Sequence, residues 1–132
     1  MPVTELVRVV VTVADPAAMA GFYREALGLD VGPEQALGDP AWSALLGLPE
    51  GTTIRVASVR FGSETLALAS FDPPGAPYPA TRASNDQWFH HVALVAGDIE
   101  AVWKRLERAK PEVITKGEPV LLPPNTGNVT AF

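Results

Sequence analysis

The first 71 residues begin with a β-branched apolar run that changes into an amphipathic stretch. Residues 6–14, LVRVVVTVA, have the composition of a central strand. Asp15 and Pro16 follow as a typical N-cap and first helical residue, because the carboxylate accepts free backbone N–H groups and the fixed φ of proline suits a helix. Apolar side chains then recur at helical spacing up to Gly28, a residue type common just after a helix. The pattern predicts a strand followed by a helix.

Three further strands and one short helix or turn are predicted before the proline-rich middle of the chain. They cover residues 29–35 (strand), 40–47 (helix or turn), 53–61 (strand) and 64–71 (strand). Gly62 and Ser63 join the last two strands with a two-residue connection typical of a β-hairpin. The first half of the chain is therefore predicted as β-α-β-β-β.

The same order of elements begins again in the second half. Shifted by 83 residues, residues 9–19 lie over residues 92–102, and Asp98 takes the place of Asp15. Identities are few, but both segments combine an apolar strand, an N-cap aspartate and an amphipathic helix. Strand-like runs then follow at residues 112–115, 119–122 and 128–132. The second half has no room to complete the course, and its last strand is missing.

This internal repeat predicts an α+β fold of two βαβββ modules in a single domain of 1–132. Module one spans residues 1–71, a proline-rich linker residues 72–86, and the incomplete module two residues 87–132. The last run, residues 128–132, would leave an exposed strand edge, and such an edge favours pairing with another chain. We therefore expect a homodimer or a native chain longer than this sequence.

Composition narrows the possible functions. The 132 residues are 47% hydrophobic and 19% charged, with no apolar run long enough to span a membrane and no export signal at the N-terminus. A cytoplasmic protein without a membrane partner is expected. The net charge of −5, with scattered lysines and arginines, argues against nucleic acid. The absence of cysteine excludes disulfides, thiolate metal sites and a cysteine nucleophile.

Two segments of the sequence resemble the vicinal oxygen chelate superfamily, which contains glyoxalase I, bleomycin- and fosfomycin-resistance proteins and extradiol dioxygenases. VTVADPAAMAGFYREALGLDV (residues 11–31) is similar to the opening of its first module, and HVALVAGDIEAVWKRL (residues 91–106) to that of its second. Residues 83–91, ASNDQWFHH, are similar to a bacterial glyoxalase-like subgroup. The resemblance implies that the two modules curl a mixed sheet into a cup around a divalent metal and bind a small molecule there.

Of the four metal ligands that the resemblance implies, this sequence supplies one. The first-strand ligand lies seven residues before the N-cap aspartate, which places His91 in module two and Arg8 in module one. A guanidinium has no lone pair to give. The carboxylate of module one falls on Ala67, and the fourth ligand would lie beyond Phe132. We expect a degenerate site in which His91 is the one ligand if zinc, nickel, manganese or iron is bound.

Side-chain alternation assigns faces to the first strand of each module. Arg8 and Thr12 would face the cup in module one, and Phe89 and His91 in module two, whereas His90 would face the helices and be structural. Two interpretations of His91 stay open. It is either a ligand or general base, with Arg8 holding an anionic substrate, or a histidine that ties a strand to a neighbouring carbonyl.

Aromatic side chains could wall the binding pocket or simply fill the core. The predicted substrate-binding residues are Thr12, Trp42, Phe61 and Phe89, with Trp88 as a further aromatic candidate. Glu64 lies beside the hairpin turn and is expected to be solvated rather than a displaced ligand. We expect a protein that binds a small carbonyl-bearing or anionic molecule, either as a lyase or isomerase using His91 or as a non-catalytic sequestering protein of the antibiotic-resistance type.

Overall fold

The computed structural model describes residues 1–132 and has three α-helices and two β-sheets, which confirms the predicted α+β class. The elements in chain order are β1 (Val9–Thr12), α1 (Pro16–Leu27), β2 (Asp30–Val31), β3 (Gln35–Leu37), α2 (Pro40–Leu46), β4 (Thr53–Phe61), β5 (Glu64–Asp72), α3 (Ile99–Ala109), β6 (Val120–Leu121) and β7 (Thr130–Ala131). The chain forms two compact units, Met1–Ala76 and Pro77–Phe132, and their boundary lies in the proline-rich segment.

Aspartate side chains begin all three helices. Asp15 Oδ1 accepts the N–H of Ala18 at 3.0 Å, and Asp98 Oδ1 accepts the N–H of Ala101 at 2.9 Å. Asp39 caps α2 in a similar way. Gly28 ends α1 with a φ of 72°, a left-handed conformation that glycine adopts without strain. The predicted bounds of α1 and the predicted start of α3 are therefore confirmed.

The first unit is built on a five-stranded mixed sheet in which β5 and β4 are central. Strand β1 pairs with β5 in parallel, the hairpin β4–β5 is antiparallel, and both β2 and β3 pair with β4. On one face, the sheet packs against α1 through a cluster of buried side chains: Ala20, Ala57, Val59, Leu66 and Leu68. Val11 and Val13 pack against this cluster, as the strand alternation predicts, while Val9 stays 44% exposed.

The opposite face of the same sheet is called the cup face below. It consists of the side chains that alternate with the core cluster: Val10, Thr12, Val56, Ser58, Ala67 and Ala69. Ala67 and Ala69 are almost fully buried, whereas Val10 and Thr12 are exposed. The face therefore has a floor of two small side chains in its central strand.

The second unit has far less regular structure than the repeat predicts. Residues 87–98 contain no strand, and neither do residues 112–115, so the strands predicted there are wrong. A β-branched sequence becomes a strand only where a neighbouring strand takes up its backbone hydrogen bonds, and these segments have no such partner. The observed sheet of this unit consists of β6 and β7 alone, each two residues long.

Burial is distributed unevenly between the units. Of the ten buried hydrophobic residues, Leu106 of α3 is the one that belongs to the second unit. The side chains of Val95 and Leu121 are 102% and 66% exposed. None of the helices is long and apolar enough to cross a membrane.

Candidate functional site

The register of the sheet places the cup-face side chains in rows across three strands. Val10 lies opposite Ala67, which lies opposite Ser58. In the next row Thr12 lies opposite Ala69, which lies opposite Val56. The polar groups that these rows offer are the hydroxyls of Thr12 and Ser58, one on each side of the alanine floor.

The position of Ser58 depends on Gly32, which follows β2. The backbone N–H of Gly32 donates to the carbonyl oxygen of Ser58 at 2.8 Å. A Cβ added to Gly32 would lie 2.5 Å from Ser58 Oγ, closer than any real contact allows. Glycine is therefore needed at position 32 for the hydroxyl of Ser58 to occupy its place on the cup face.

Charged residues surround the cup face at the end of the sheet where β1 begins. Arg60 Nη2 and Asp30 Oδ2 form an ion pair at 2.9 Å, with both side chains exposed. Arg8 lies one residue before β1 and is exposed. Two exposed cations therefore lie at this end of the sheet, Arg8 and Arg60, and Arg60 is the one that is paired with Asp30.

The predicted binding aromatics do not all lie on the cup face. Phe61, the last residue of β4, packs against the core cluster on the side of α1, which is the face opposite Thr12. Trp42 lies on the short helix α2 and is 38% exposed. The structure does not bring Thr12 and Phe61 together, and Phe61 is a core residue.

Tyr23 belongs to the core side of the sheet as well. It lies on α1 and packs against the core cluster. Burial raises the pKa of its phenol above the usual value of 10.0, because the phenolate loses hydration there. The group has a structural role.

His90 and His91 are both exposed and lie in a segment without a strand. The rings of Phe89 and His91 are 6.3 Å apart between centroids and tilted by 37°. Strand alternation therefore does not separate the two histidines, although Phe89 and His91 are neighbours as the alternation implies. The imidazole of His91 is accessible to a small molecule.

Most of the chain matches one known protein family. The model of the Glyoxalase/Bleomycin resistance protein/Dioxygenase superfamily matches residues 5–120. The chain belongs to this superfamily. The family resemblance inferred from residues 11–31 and 91–106 is thereby confirmed.

A solved structure of a superfamily protein supports the fold. The chain is similar to the crystal structure of a glyoxalase family protein from Bacillus cereus, with 20% sequence identity and a TM-score of 0.73. The similarity covers 88% of this chain and 80% of the other. No curated protein matches the sequence.

Members of this superfamily often hold a divalent metal, but the donors of this chain do not fit one. No group of three or more His, Asp or Glu side chains lies close enough together to coordinate an ion. Ala67 has no donor atom at the position where the superfamily resemblance implies a carboxylate. Glu64 is exposed at the hairpin turn, where it accepts a hydrogen bond from Ser63 at 3.3 Å, so it is solvated as expected.

Sequence reasoning missed two groups of candidate residues in this superfamily member. Ser58 becomes a cup-face residue only through its register with Ala67, which strand alternation on β4 alone does not reveal. The second group is formed by Tyr78, Arg82 and Glu112 of the second unit, which lie around Trp88, an aromatic candidate already named from the sequence. Its sequence signal is the concentration of aromatic and charged residues around the proline-rich segment.

Proposed function

We propose that this superfamily member binds a small carbonyl-bearing or anionic molecule on the cup face of its first unit. The observation that carries the proposal is the pair of hydroxyls, Thr12 and Ser58, on either side of the small Ala67 and Ala69. Hydroxyls donate to carbonyl or carboxylate oxygens, and the side chains of the two alanines between them end at Cβ. Few polar groups above an apolar floor are typical of small-molecule sites.

Arg8 is proposed to hold the anionic end of the ligand. Its guanidinium is permanently charged and can bind a carboxylate through two parallel hydrogen bonds. It is exposed one residue before β1, two positions before Val10 of the cup face. In this proposal Arg8 supplies the positive charge that a metal supplies elsewhere in the superfamily.

Nuclear magnetic resonance titration tests the binding proposal directly. Pyruvate, which carries both a ketone and a carboxylate, should shift the backbone amides of Thr12, Ser58 and their strand neighbours. Hydroxyacetone has the ketone without the charge. Arg8→Gln should weaken the binding of pyruvate by about tenfold, the usual scale for a lost charged hydrogen bond. The binding of hydroxyacetone should change little. If neither compound shifts cup-face amides, the proposal is wrong.

A second candidate function is proton transfer by His91, as expected of a glyoxalase-like lyase or isomerase. The observation that favours it is the exposed imidazole of His91, since histidine is the side chain that most often serves as a general base in proteins. In such a step, the base removes a proton from the carbon next to a carbonyl, and the electron pair moves onto the carbonyl oxygen. Return of a proton to the same carbon gives exchange. If that carbon carries a hydroxyl, addition of the proton to the former carbonyl carbon, with loss of the hydroxyl proton, gives the isomeric carbonyl compound.

Deuterium exchange tests this step without knowledge of the natural substrate. The protein in deuterium oxide should accelerate the loss of the pyruvate methyl proton signal. His91→Ala should abolish the acceleration, and His90→Ala, which removes the adjacent exposed imidazole, should retain it. Binding without any acceleration would favour the alternative function, a non-catalytic protein that sequesters a small molecule as antibiotic-resistance proteins do.

We also propose that the chain forms a homodimer. In support, β6 and β7 are both edge strands of a two-stranded sheet. Leu121 of β6 is 66% exposed, and Val129, just before β7, is 49% exposed. Light scattering should give twice the chain mass, and Val129→Lys should give a monomer. A monomeric wild-type protein would contradict the proposal. The cytoplasmic location expected from the sequence stays a prediction.

A further inference from the structure

Four side chains of the second unit meet at its surface. The rings of Tyr78 and Trp88 meet edge to face, with centroids 5.1 Å apart and planes at 86°. The guanidinium of Arg82 lies over the ring of Tyr78, 5.5 Å from its centroid. Arg82 also forms an ion pair with Glu112 through Nη2. These four residues are called the Arg82 cluster below.

Local hydrogen bonds hold the backbone of this cluster in place. The N–H of Ala83 donates to Asp86 Oδ2 at 2.8 Å, and the N–H of Asp86 donates back to the carbonyl of Ala83 at 3.1 Å. A second turn follows, in which Phe89 N–H donates to the carbonyl of Asp86 at 3.0 Å. The two turns bring Trp88 back onto Tyr78, so the aromatic corner is formed before any ligand arrives.

Arg82 is fixed at three points. Its Nη1 donates to the carbonyl of Pro79 at 3.2 Å, its Cζ lies over the ring of Tyr78, and its Nη2 donates to Glu112 Oε2. The side chain of Arg82 is 30% exposed, whereas that of Glu112 is 73% exposed. The cation is thus held in one orientation by its own segment, and its carboxylate partner reaches it from solvent.

The carboxylate of Glu112 is replaceable. An ion pair with a largely exposed partner contributes about 0–1 kcal/mol, because solvent competes for both charges. A carboxylate from solution can therefore take its place on Nη2 at little cost. The contact also indicates that a carboxylate approaching from solvent reaches this nitrogen.

We propose that the Arg82 cluster is a binding site for small aromatic carboxylates. The ligand carboxylate replaces that of Glu112 on Arg82, and the ligand ring packs against Trp88 and Tyr78, which are 37% and 57% exposed. Guanidinium–carboxylate pairing fixes the anionic end, and edge-to-face or offset ring contacts fix the aromatic end. The site lies within the second unit and does not rest on the function proposed for the cup face.

Three ligands that carry the aromatic ring, the carboxylate or both distinguish specific binding at the Arg82 cluster from unspecific binding. Benzoate has the ring and the charge, acetate the charge alone, and benzyl alcohol the ring alone. Benzoate should shift the indole N–H resonance of Trp88, assigned by its loss in Trp88→Phe. Acetate and benzyl alcohol should bind at least about tenfold more weakly, as expected when one of two contacts is lost. The amides of Thr12 and Ser58 should not move.

Two variants should change benzoate affinity in opposite directions. Arg82→Gln should weaken it at least severalfold, and Glu112→Gln should strengthen it severalfold, since the competing carboxylate is gone. Glu34→Gln is the matched control, because it removes the 3.6 Å ion pair with Arg55 in the first unit, and affinity should not change.

A cluster with a structural role alone would behave differently. In that case Glu112→Gln would leave benzoate affinity unchanged or lower it, and this result would overturn the proposal. So would the absence of any Trp88 shift with benzoate in both the wild type and Glu112→Gln. If Arg82→Gln loses its folded spectrum, the Glu112→Gln titration still decides.

Discussion

The hydroxyl oxygen of Ser58 lies directly against the α-carbon of Gly32, so closely that a Cβ at position 32 would come within 2.5 Å of it. The two residues also share a backbone hydrogen bond of 2.8 Å between neighbouring strand segments. This contact sets the spacing of the sheet edge from β4 and places one of the two hydroxyls of the cup face. It therefore links the stability of the first unit to the proposed binding site.

Gly32→Ala should destabilise the protein by about 0.5–1.5 kcal/mol, because the hydroxyl of Ser58 must leave its present rotamer to make room. Urea unfolding followed by circular dichroism measures it. Gly38→Ala is the matched control, because an added Cβ there meets nothing within 4 Å. Removing the hydroxyl with Ser58→Ala should relieve most of the cost in the double variant. If the losses of the two single variants simply add up in the double variant, a direct clash between the added Cβ and the Ser58 hydroxyl is contradicted.

Asp15→Ala and Asp98→Ala should each lower the free energy of unfolding by about 1 kcal/mol, because each leaves an N–H at a helix start without its acceptor. Asp15→Asn and Asp98→Asn keep an oxygen at the same place and should cost much less. Thermal unfolding of the four variants gives the comparison. Equal losses for alanine and asparagine would indicate that charge, and not the capping hydrogen bond, is what matters.

Stability should fall in alkali because of Tyr23. The pKa of its phenol is raised in the folded state by burial, so the unfolded chain releases this proton first as pH rises. The free energy of unfolding is unaffected by this group below about pH 10 and decreases as pH rises from there through the folded pKa. Tyr23→Phe should have a flatter profile above about pH 10 than the wild type in urea titrations. Parallel profiles would contradict the effect.

The two faces of the sheet should respond differently to substitution. Leu66→Ala, in the core cluster, should cost about 2–5 kcal/mol, since it leaves a cavity, whereas Leu45→Ala at a 73% exposed position should cost little. Thr12→Val keeps the shape of the side chain and should change the free energy of unfolding by less than about 0.5 kcal/mol. It should nevertheless weaken the binding of pyruvate, because the hydroxyl is lost. A large loss of stability in Thr12→Val would count against a binding role.

Inductively coupled plasma mass spectrometry of protein purified without chelator should find well below one divalent metal ion per chain. The reason is the donor set, since no three His, Asp or Glu side chains lie together. A stoichiometric content of zinc, nickel, manganese or iron would contradict this prediction. Loss of that metal in His91→Ala would then identify the histidine as a ligand.

The parts of the fold that follow local rules were predictable from the sequence. Asp15, Pro16 and Gly28 act within one turn of α1, so its bounds could be read directly. The strand predicted from His91 onwards is absent because a strand forms only where a neighbouring strand takes up its backbone hydrogen bonds, and this segment has no such neighbour. The sequence left Phe61 open between a pocket and a core role because both faces of β4 carry apolar side chains, and only the packing of α1 distinguishes them. The cup-face position of Ser58 required the register with β5, which sequence periodicity does not supply.

The uneven burial between the units sets the order in which the molecule opens. Residues with few buried apolar neighbours exchange their amide protons through low-energy local openings, while central strands exchange only when the whole unit unfolds. Amides of β4 and β5 should therefore be protected far longer than those around Arg82 and His91. A ligand bound at Arg82 would slow exchange in its own segment first, and its affinity would include the free energy of keeping that segment closed.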